Sequence, residues 1–323
     1  MNIYDISKIA GVSIATVSRV FNNSAKVSDA ARKRVLDAAE STGYRPGTRS
    51  VKSKSLPNIG IVCRSITNPR SSYLISRIIP ALFGKGLTPL LLICNDNAAD
   101  LKHAFEYFAR HKTSAVIVDC LDFTDDTVHA AMQSAQYPET AVILLNLYID
   151  APNVFCALCD MEKAVASITD KRIKDGCKSP VFLFSGMSDF CISMLNGFKH
   201  ACGINNLNIP PENLHICPDG ITSAYNYTAG LMSEGKNIDA VICSDNNLGL
   251  GAYKAVCSGN AENYISITGC GCTSFSDTCP LPFPSIYCRD EEIFRHTMDT
   301  LANLISNKPV STKTVFTPIY IPC

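Results

Sequence analysis

YDISKIAGVSIATVSRVFN, residues 4–22, followed by VSDAARKRVLDAAESTGYRP, residues 27–46, decides how the N-terminal part of this chain folds. The first stretch predicts a helix from about Ile3 to Ala10, with Asn2 placed to cap it and Asp5 suited to its positive end. Ile6, Ile9 and Ala10 are its expected buried stripe. Gly11 and Val12 supply a tight turn, Ser13 caps a second helix, and Val17 and Val20 fall on that helix's inner face. A third helix begins at Ser28 and stops at Gly43, with Val35, Leu36 and Ala39 closing a three-helix core. Two short helices joined by a glycine turn make a helix-turn-helix. Thr16, Ser18, Arg19 and Asn22 lie off the buried face, and small polar and basic side chains there suit entry into a DNA groove better than packing.

Charge supports that reading. The chain holds 29 basic and 29 acidic residues, but residues 1–57 carry ten Lys and Arg against four Asp and Glu. A basic head on an acidic body attracts phosphate locally without a sticky surface elsewhere. No apolar run approaches the length of a membrane span, and the N-terminus opens directly into the first helix without a signal peptide. All 16 cysteines lie beyond residue 60, several within apolar runs. A reducing cytoplasm is therefore expected, with cysteine used as a small buried hydrophobe. Cys156 and Cys159 form a CxxC, and Cys270, Cys272, Cys279 and Cys288 cluster loosely. The second knuckle of a metal site is missing, so no metal or cofactor is expected.

From Ile59 the pattern changes to short apolar runs separated by helical stretches. The runs IGIV, PLLLIC, AVIVDC and AVILLN form one series, and VFLFSG, LHIC, AVICS and YISITG a second. Successive βα units imply parallel sheets covered by helices on both faces, and two such lobes hold a ligand outside their strand ends. The fold class is α/β: a small all-α head, then a two-lobed body. An enzyme would need a nucleophile elbow, a phosphate-binding glycine loop or an HExxH, and none is present.

The head resembles that of the LacI-type transcriptional regulators. Tyr4, Asp5, Ala10, Gly11, Val12, Ser13, Thr16, Val17, Ser18, Arg19, Val20, Asn22, Val27, Ser28, Tyr44 and Pro46 stand where that family has them, and a more diffuse likeness covers the rest of the chain. The resemblance implies a DNA-binding domain over 1–46, a hinge or linker over 47–58 and an effector-binding and dimerisation domain over 59–323. That body would look like a periplasmic binding protein. Its first lobe would take about 59–158 and 289–319, and its second about 159–288 and the C-terminal end, with the last strand near Thr314 to Ile319. The pair Gly197 and Phe198, the run Leu248 to Ala252 and Ser266 to Gly269 carry this likeness by their order. A homodimer would place two recognition helices on a pseudo-palindromic operator. Ile14 and Ala15 would choose bases through apolar contact, Arg19 would read a base, and Ser13, Thr16, Ser18, Asn22, Ser28 and Tyr44 would contact DNA around them. The hinge departs from the family: Gly47 replaces its usual Asn and the connector is about two residues short. Either Val51 becomes the minor-groove wedge or Arg49 to Ser55 is a flexible basic linker.

The resemblance also implies a small effector that alters operator affinity, repression being the default sense, with carbohydrate-metabolism genes as the targets. Relatives that bind sugars have an Arg just before the Gly197–Phe198 pair and an Asp soon after the strand of Ser266 to Gly269. Here Met194 or Leu195 and Gly271 stand there. In exchange, CRSITNPRSS, residues 63–72, offers Arg64 and Arg70, which suit a phosphate or carboxylate. The run from Ile59 to Leu92 is faintly similar to the trehalose repressor branch. A phosphosugar or sugar acid is therefore the expected effector, with Asp119 and either Asp245 or Asn246 holding hydroxyls. The alternatives are a neutral sugar and a regulator that senses no ligand.

Overall fold

The computed structural model of the chain describes residues 3–21, 27–42, 57–120, 122–134, 140–218, 220–259, 264–271 and 281–322. Asn2, Asn22, Gly43, Tyr44, the connector with Gly47 and Val51, Cys272 and Cys279 lie outside them. The chain divides into two units, Met1–Leu56 and Pro57–Cys323.

The first unit holds helices α1 (Ile3–Ala10), α2 (Ile14–Phe21) and α3 (Asp29–Thr42). Gly11 takes φ 60°, where a side chain is strained, and this lets Val12 N–H turn back to Ser7 O at 3.1 Å. Ser13 Oγ accepts from Thr16 N–H at 3.2 Å and Ser28 Oγ from Ala31 N–H at 3.4 Å, so both hydroxyls cap the helices they precede. Ile6, Ala10, Val17, Val20, Val35 and Ala38 form the core. Two expected core residues are exposed instead, Ile9 at 55% and Leu36 at 47%. A helix advances about 100° per residue, so the Ile6–Ala10 face leaves Ile9 at its flank, and the Ala31–Val35–Ala38 face turns Leu36 outward.

Among the described residues, the second unit carries two six-stranded sheets. Its strands are β1 (Asn58–Cys63), β2 (Thr88–Ile93), β3 (Thr113–Asp119), β4 (Ala141–Leu145), β5 (Val154–Cys159), β6 (Pro180–Phe184), β7 (Leu214–Ile216), β8 (Ala240–Cys243), β9 (Ser266–Gly271), β10 (Ser285–Tyr287), β11 (Lys313–Phe316) and β12 (Ile319–Ile321). The first lobe's sheet has the order β11-β5-β4-β3-β1-β2 and is parallel throughout; the second has β12-β10-β9-β8-β6-β7, parallel except where β12 meets β10. The helices are α4 (Pro69–Gly84), α5 (Ala98–Arg110), α6 (Asp125–Ser134), α7 (Met161–Lys174), α8 (Asp189–Ile204), α9 (Ile221–Ser233), α10 (Asn246–Ser258) and α11 (Asp290–Ile305).

Successive strand residues face opposite helix layers. In β3, Ala115 and Ile117 join one core while Val116 and Val118 join another, which is why the run reads as unbroken apolar sequence. The same alternation parts the CxxC: Cys156 packs under α5 and α6, and Cys159 faces the opposite core. The glycines noted in the sequence mark close helix pairs. A Cβ on Gly197 of α8 would lie 2.1 Å from Glu162 O of α7, and one on Gly251 of α10 would lie 2.3 Å from Ile221 O of α9.

The single final strand expected from Thr314 to Ile319 is two strands. Pro318 has no N–H to give a ladder and a fixed φ, so the chain breaks there, leaves the first sheet after Phe316 and enters the second at Ile319. Three crossovers thus join the lobes, at Asp160, at Cys288–Arg289 and at Thr317–Pro318. They are tied together: Asp160 N–H donates to Phe316 O at 3.0 Å, and Arg289 Nε to Thr317 O at 2.8 Å.

Candidate functional site

The head presents an outer face on α2. Val17 and Val20 are buried, which turns Ile14, Ala15 and Arg19 to solvent. Ser13 Oγ and Thr16 Oγ1 lie 2.9 Å apart at the helix start, where N–H groups and the helix dipole favour an anion. Ser28 is exposed at the start of α3. Ser18 lies on α2; Asn22, Tyr44 and Val51 are outside the described residues.

In the body, the loops after β1, β3, β4, β6 and β8 gather polar side chains between the lobes. Asn68 Oδ1 caps α4 by accepting from Arg70 N–H at 3.0 Å. That cap sends the Arg70 side chain inward, where it is 4% exposed. Arg70 Nε donates to Asp290 Oδ1 at 2.6 Å and Nη2 to Asn146 Oδ1 at 3.0 Å. The guanidinium carbon also sits 5.3 Å from the centre of the Phe190 ring, on the second lobe. Burial alone would lower the pKa of Arg70, yet the Asp290 carboxylate holds it above its ordinary value. Asn146, directly after β4, takes φ 66° and is itself buried. Arg70 Nη1, Asn146 Nδ2 and Asp290 Oδ2 have no hydrogen-bond partner among the described residues.

Arg70 therefore spends Nε on Asp290 and Nη2 on Asn146, and its charge is paired inside the protein. Arg64 is exposed and donates from Nη1 to the carbonyl of Asp122 at 3.2 Å. Asp119 is buried at the end of β3. Burial lifts the Asp122 carboxyl above its ordinary value, with the charges of Asp119 and Asp245 adding to it against Arg64. Burial likewise raises Asp245, although its Oδ1 accepts from Leu248 N–H at 3.0 Å as the cap of α10. Asp189, the first residue of α8, accepts Asp125 N–H at 2.5 Å across the lobes. Burial, and then the Asp189 charge, raises the Asp125 carboxyl.

Asn246 is held away from this group by Ser285, whose Oγ donates to its Oδ1 at 2.6 Å. A Cβ at residue 271 would lie 2.8 Å from Asn246 Nδ2, so a side chain there would have to displace that amide. Met194 is fully buried among the apolar side chains of the central core, with Phe182 and Phe198. The structure thus brings Arg64, Arg70, Asp119 and Asp245 to the cleft, and it adds Asp122, Asp125, Asn146, Asp189, Phe190 and Asp290. Asn146 had a sequence signal, an Asn closing the apolar run of β4. Asp290 had none, because its partner is 220 residues away. Among the described residues no group of His, Cys, Asp and Glu is arranged to hold a metal ion, and no helix is long and apolar enough to cross a membrane.

Residues 2–47 match the family described as bacterial regulatory proteins, lacI family, and residues 56–278 match periplasmic binding proteins and sugar binding domain of LacI family. An HTH-type transcriptional regulator of Lachnoclostridium phytofermentans is 27% identical over 97% of this chain and 96% of its own. In fold, the chain is similar to a Lac repressor dimer bound to operator and the anti-inducer ONPF, with TM-score 0.72 and 18% identity over 99% of this chain and 97% of that one. It is also similar to a CelR–cellobiose complex, with TM-score 0.67 and 17% identity over 99% and 98%.

Proposed function

Because the chain belongs to the LacI family of bacterial regulatory proteins, we propose that it is a repressor whose hold on a pseudo-palindromic operator is changed by a neutral polyhydroxylated ligand, a sugar, between its lobes. The family places it among DNA-binding transcriptional regulators with a sugar-binding domain rather than among enzymes. The finer reading rests on one observation. Arg70, one of two cations expected to meet a phosphate or carboxylate, is already neutralised by Asp290, while Asp119, Asp122, Asp125, Asp189 and Asp245 surround the cleft with Arg64 as their counter-charge. An anion there would meet repulsion from several carboxylates in a region of reduced dielectric. Hydroxyls, which both donate and accept, suit those carboxylates and the two donors and one acceptor left on Arg70, Asn146 and Asp290. The description of the matched family as a sugar binding domain and the cellobiose held by one fold relative favour the same class. A phosphosugar or sugar acid, the class expected from Arg64 and Arg70, is the alternative that the same panel tests.

At the DNA, Arg19 reads a base, Ile14 and Ala15 make apolar contacts, and Ser13, Thr16, Ser18, Asn22, Ser28 and Tyr44 hold the backbone, one set from each protomer of a homodimer in the cytoplasm. Val51 is the candidate wedge. The protein alone, melted across neutral sugars, phosphorylated sugars and sugar acids, tests the ligand class, since a ligand at 100 times its Kd adds about 2.7 kcal/mol. A shift with a neutral sugar that is lost in Asn146→Ala is expected. A shift confined to anionic compounds overturns the ligand class. Silence across the panel favours a regulator that senses no ligand, its cleft filled by Arg70.

A further inference from the structure

We infer that the first turn of α8 is a clasp that holds the two lobes together through protein groups alone, with Asp189 gripping the start of α6 at the rim of the cleft and Phe190 lying against Arg70. Asp189 and Phe190 are consecutive residues of the second lobe, directly after the Ser188 cap, and each reaches a different element of the first. Asp189 Oδ2 accepts the Asp125 N–H at 2.5 Å, and the Phe190 ring centre lies 5.3 Å from the Arg70 guanidinium carbon. The first contact is exposed and the second is sheltered, since Arg70 is buried and Phe190 half-buried.

The opening N–H groups of a helix have no acceptor within it. At α6, Thr124 Oγ1 accepts from Thr127 N–H at 3.3 Å and Asp96 Oδ1 from Thr124 N–H at 3.4 Å, both acceptors belonging to the first lobe. The Asp125 N–H between them is served from the opposite lobe. The Asp189 carboxylate therefore stands at the positive ends of two helices, α6 and its own α8, one in each lobe, and each favours its charge. Separating the lobes removes it from one of them. Phe190 adds an inner contact: it packs against the central apolar core, and the guanidinium it meets is fixed in place by Asp290 and Asn146. A ring over a cation held in this way gains attraction without ordering a mobile side chain.

Charge works against the clasp. Asp245 of the second lobe is among the charges that raise the Asp122 carboxyl of the first, and the Asp189 charge raises the Asp125 carboxyl. Attraction at α8 is thus set against repulsion elsewhere along the cleft, which keeps the gap between closed and open arrangements small. Hinge closure in a two-lobed body is absorbed at the crossovers, and a molecule entering or leaving the space between the lobes has first to release Asp189 and Phe190. The clasp acts whatever the class of ligand, because every group in it belongs to the protein.

The test is hydrogen exchange of the full-length protein, resolved at the Asp125 amide, with neither sugar nor DNA added. Asp189→Ala should speed exchange at that amide about tenfold or more, as expected for loss of a hydrogen bond to a charged acceptor, while amides within 128–133 of α6 and 195–202 of α8 keep their parent rates. Asp189→Asn, which retains an acceptor oxygen, should fall between the two. A second readout follows the lobes themselves. Spin labels carried on unnatural side chains at Gln133 of α6 and Lys199 of α8, both exposed, should lie farther apart when Asp189→Ala is combined with Phe190→Ala, measured by pulsed dipolar spectroscopy. Parent-like exchange at Asp125 in Asp189→Ala, or an unchanged label distance in the double variant, overturns the clasp. Faster exchange along the whole of α6 and α8 overturns it as well, since the helices rather than the contact between them would then have changed. The parent decides even if a variant fails to fold: an Asp125 amide that exchanges as fast as an open peptide is not held by Asp189. None of these outcomes depends on which sugar, if any, the cleft binds.

Discussion

Arg70 is where a single residue changes the reading of the whole cleft. An arginine in a loop after a strand looks available to a ligand, and sequence offers no means of seeing Asp290 beside it. Once both are buried, the pair is a liability if broken: one uncompensated charge left in the interior costs roughly 3–5 kcal/mol, whereas an apolar pair of similar size is close to neutral. Arg70→Met should therefore lower the urea midpoint strongly, and adding Asp290→Leu should recover most of the loss. A single variant as stable as the parent would show that the pair is not buried as described. Arg19 is the contrasting residue, exposed beside the buried Val20. Arg19→Ala should leave folding unchanged, weaken binding to the preferred operator by roughly 1–3 kcal/mol and flatten base preference at one position. Selection of bound sites from a random duplex library reads this directly, and an unaltered site preference removes Arg19 from base reading.

Elements whose shape follows from local chemistry were legible. Gly11, Ser13 and Ser28 fix the turn and caps of the head, and the βα alternation gives the parallel lobes. The first helix, expected from about Ile3 to Ala10, spans those residues because its apolar period ends where Gly11 turns the chain. Two of the three-residue strands, β10 and β12, were not legible, being too short for a period to appear, whereas β7, equally short, shows in the run LHIC. The cleft partners were hidden for a different reason, since Asn146, Asp189 and Asp290 act through neighbours far away in sequence. Glycines carry the third kind of information. Gly197 is readable as a family marker, but its physical role is the approach of α8 to α7, where a Cβ meets a backbone carbonyl that cannot swing aside. Gly197→Ala should thus cost about 1–3 kcal/mol or more by overpacking, against near neutrality for Gly203→Ala on the same helix, where a Cβ meets nothing within 4 Å. Denaturant melts of the two variants compare them at one stroke; equal costs would show that helix propensity, not contact, governs both.

Across the whole molecule, charge is divided between a basic head and an acidic cleft, and the cleft makes stability depend on pH in a definite direction. Asp122, Asp125 and Asp245 keep their protons in the folded body at pH values where an unfolded aspartate, with an ordinary value of 3.8, has lost them. The folded state then binds more protons than the unfolded one, so stability from these groups falls as pH rises above that value and levels once the folded carboxyls have ionised. Other groups run the opposite way: His215 and His296 are lowered by burial and so favour the folded state as pH rises toward neutrality. A bare pH profile mixes the two, but a difference between proteins separates them. Asp122→Asn combined with Asp245→Asn removes two ionisations while leaving an amide that still caps α10. At low pH the protonated carboxyls and the amides are nearly equivalent, and near neutrality the variant no longer carries two anions in the cleft. Its stability relative to the parent should therefore increase as pH rises above the ordinary aspartate value of 3.8 and level once the parent's two carboxyls have ionised, measured as the difference in urea midpoints. A difference that stays flat would mean that the carboxylates are already compensated within the cleft, and one that declines would mean that they hold the lobes together as anions.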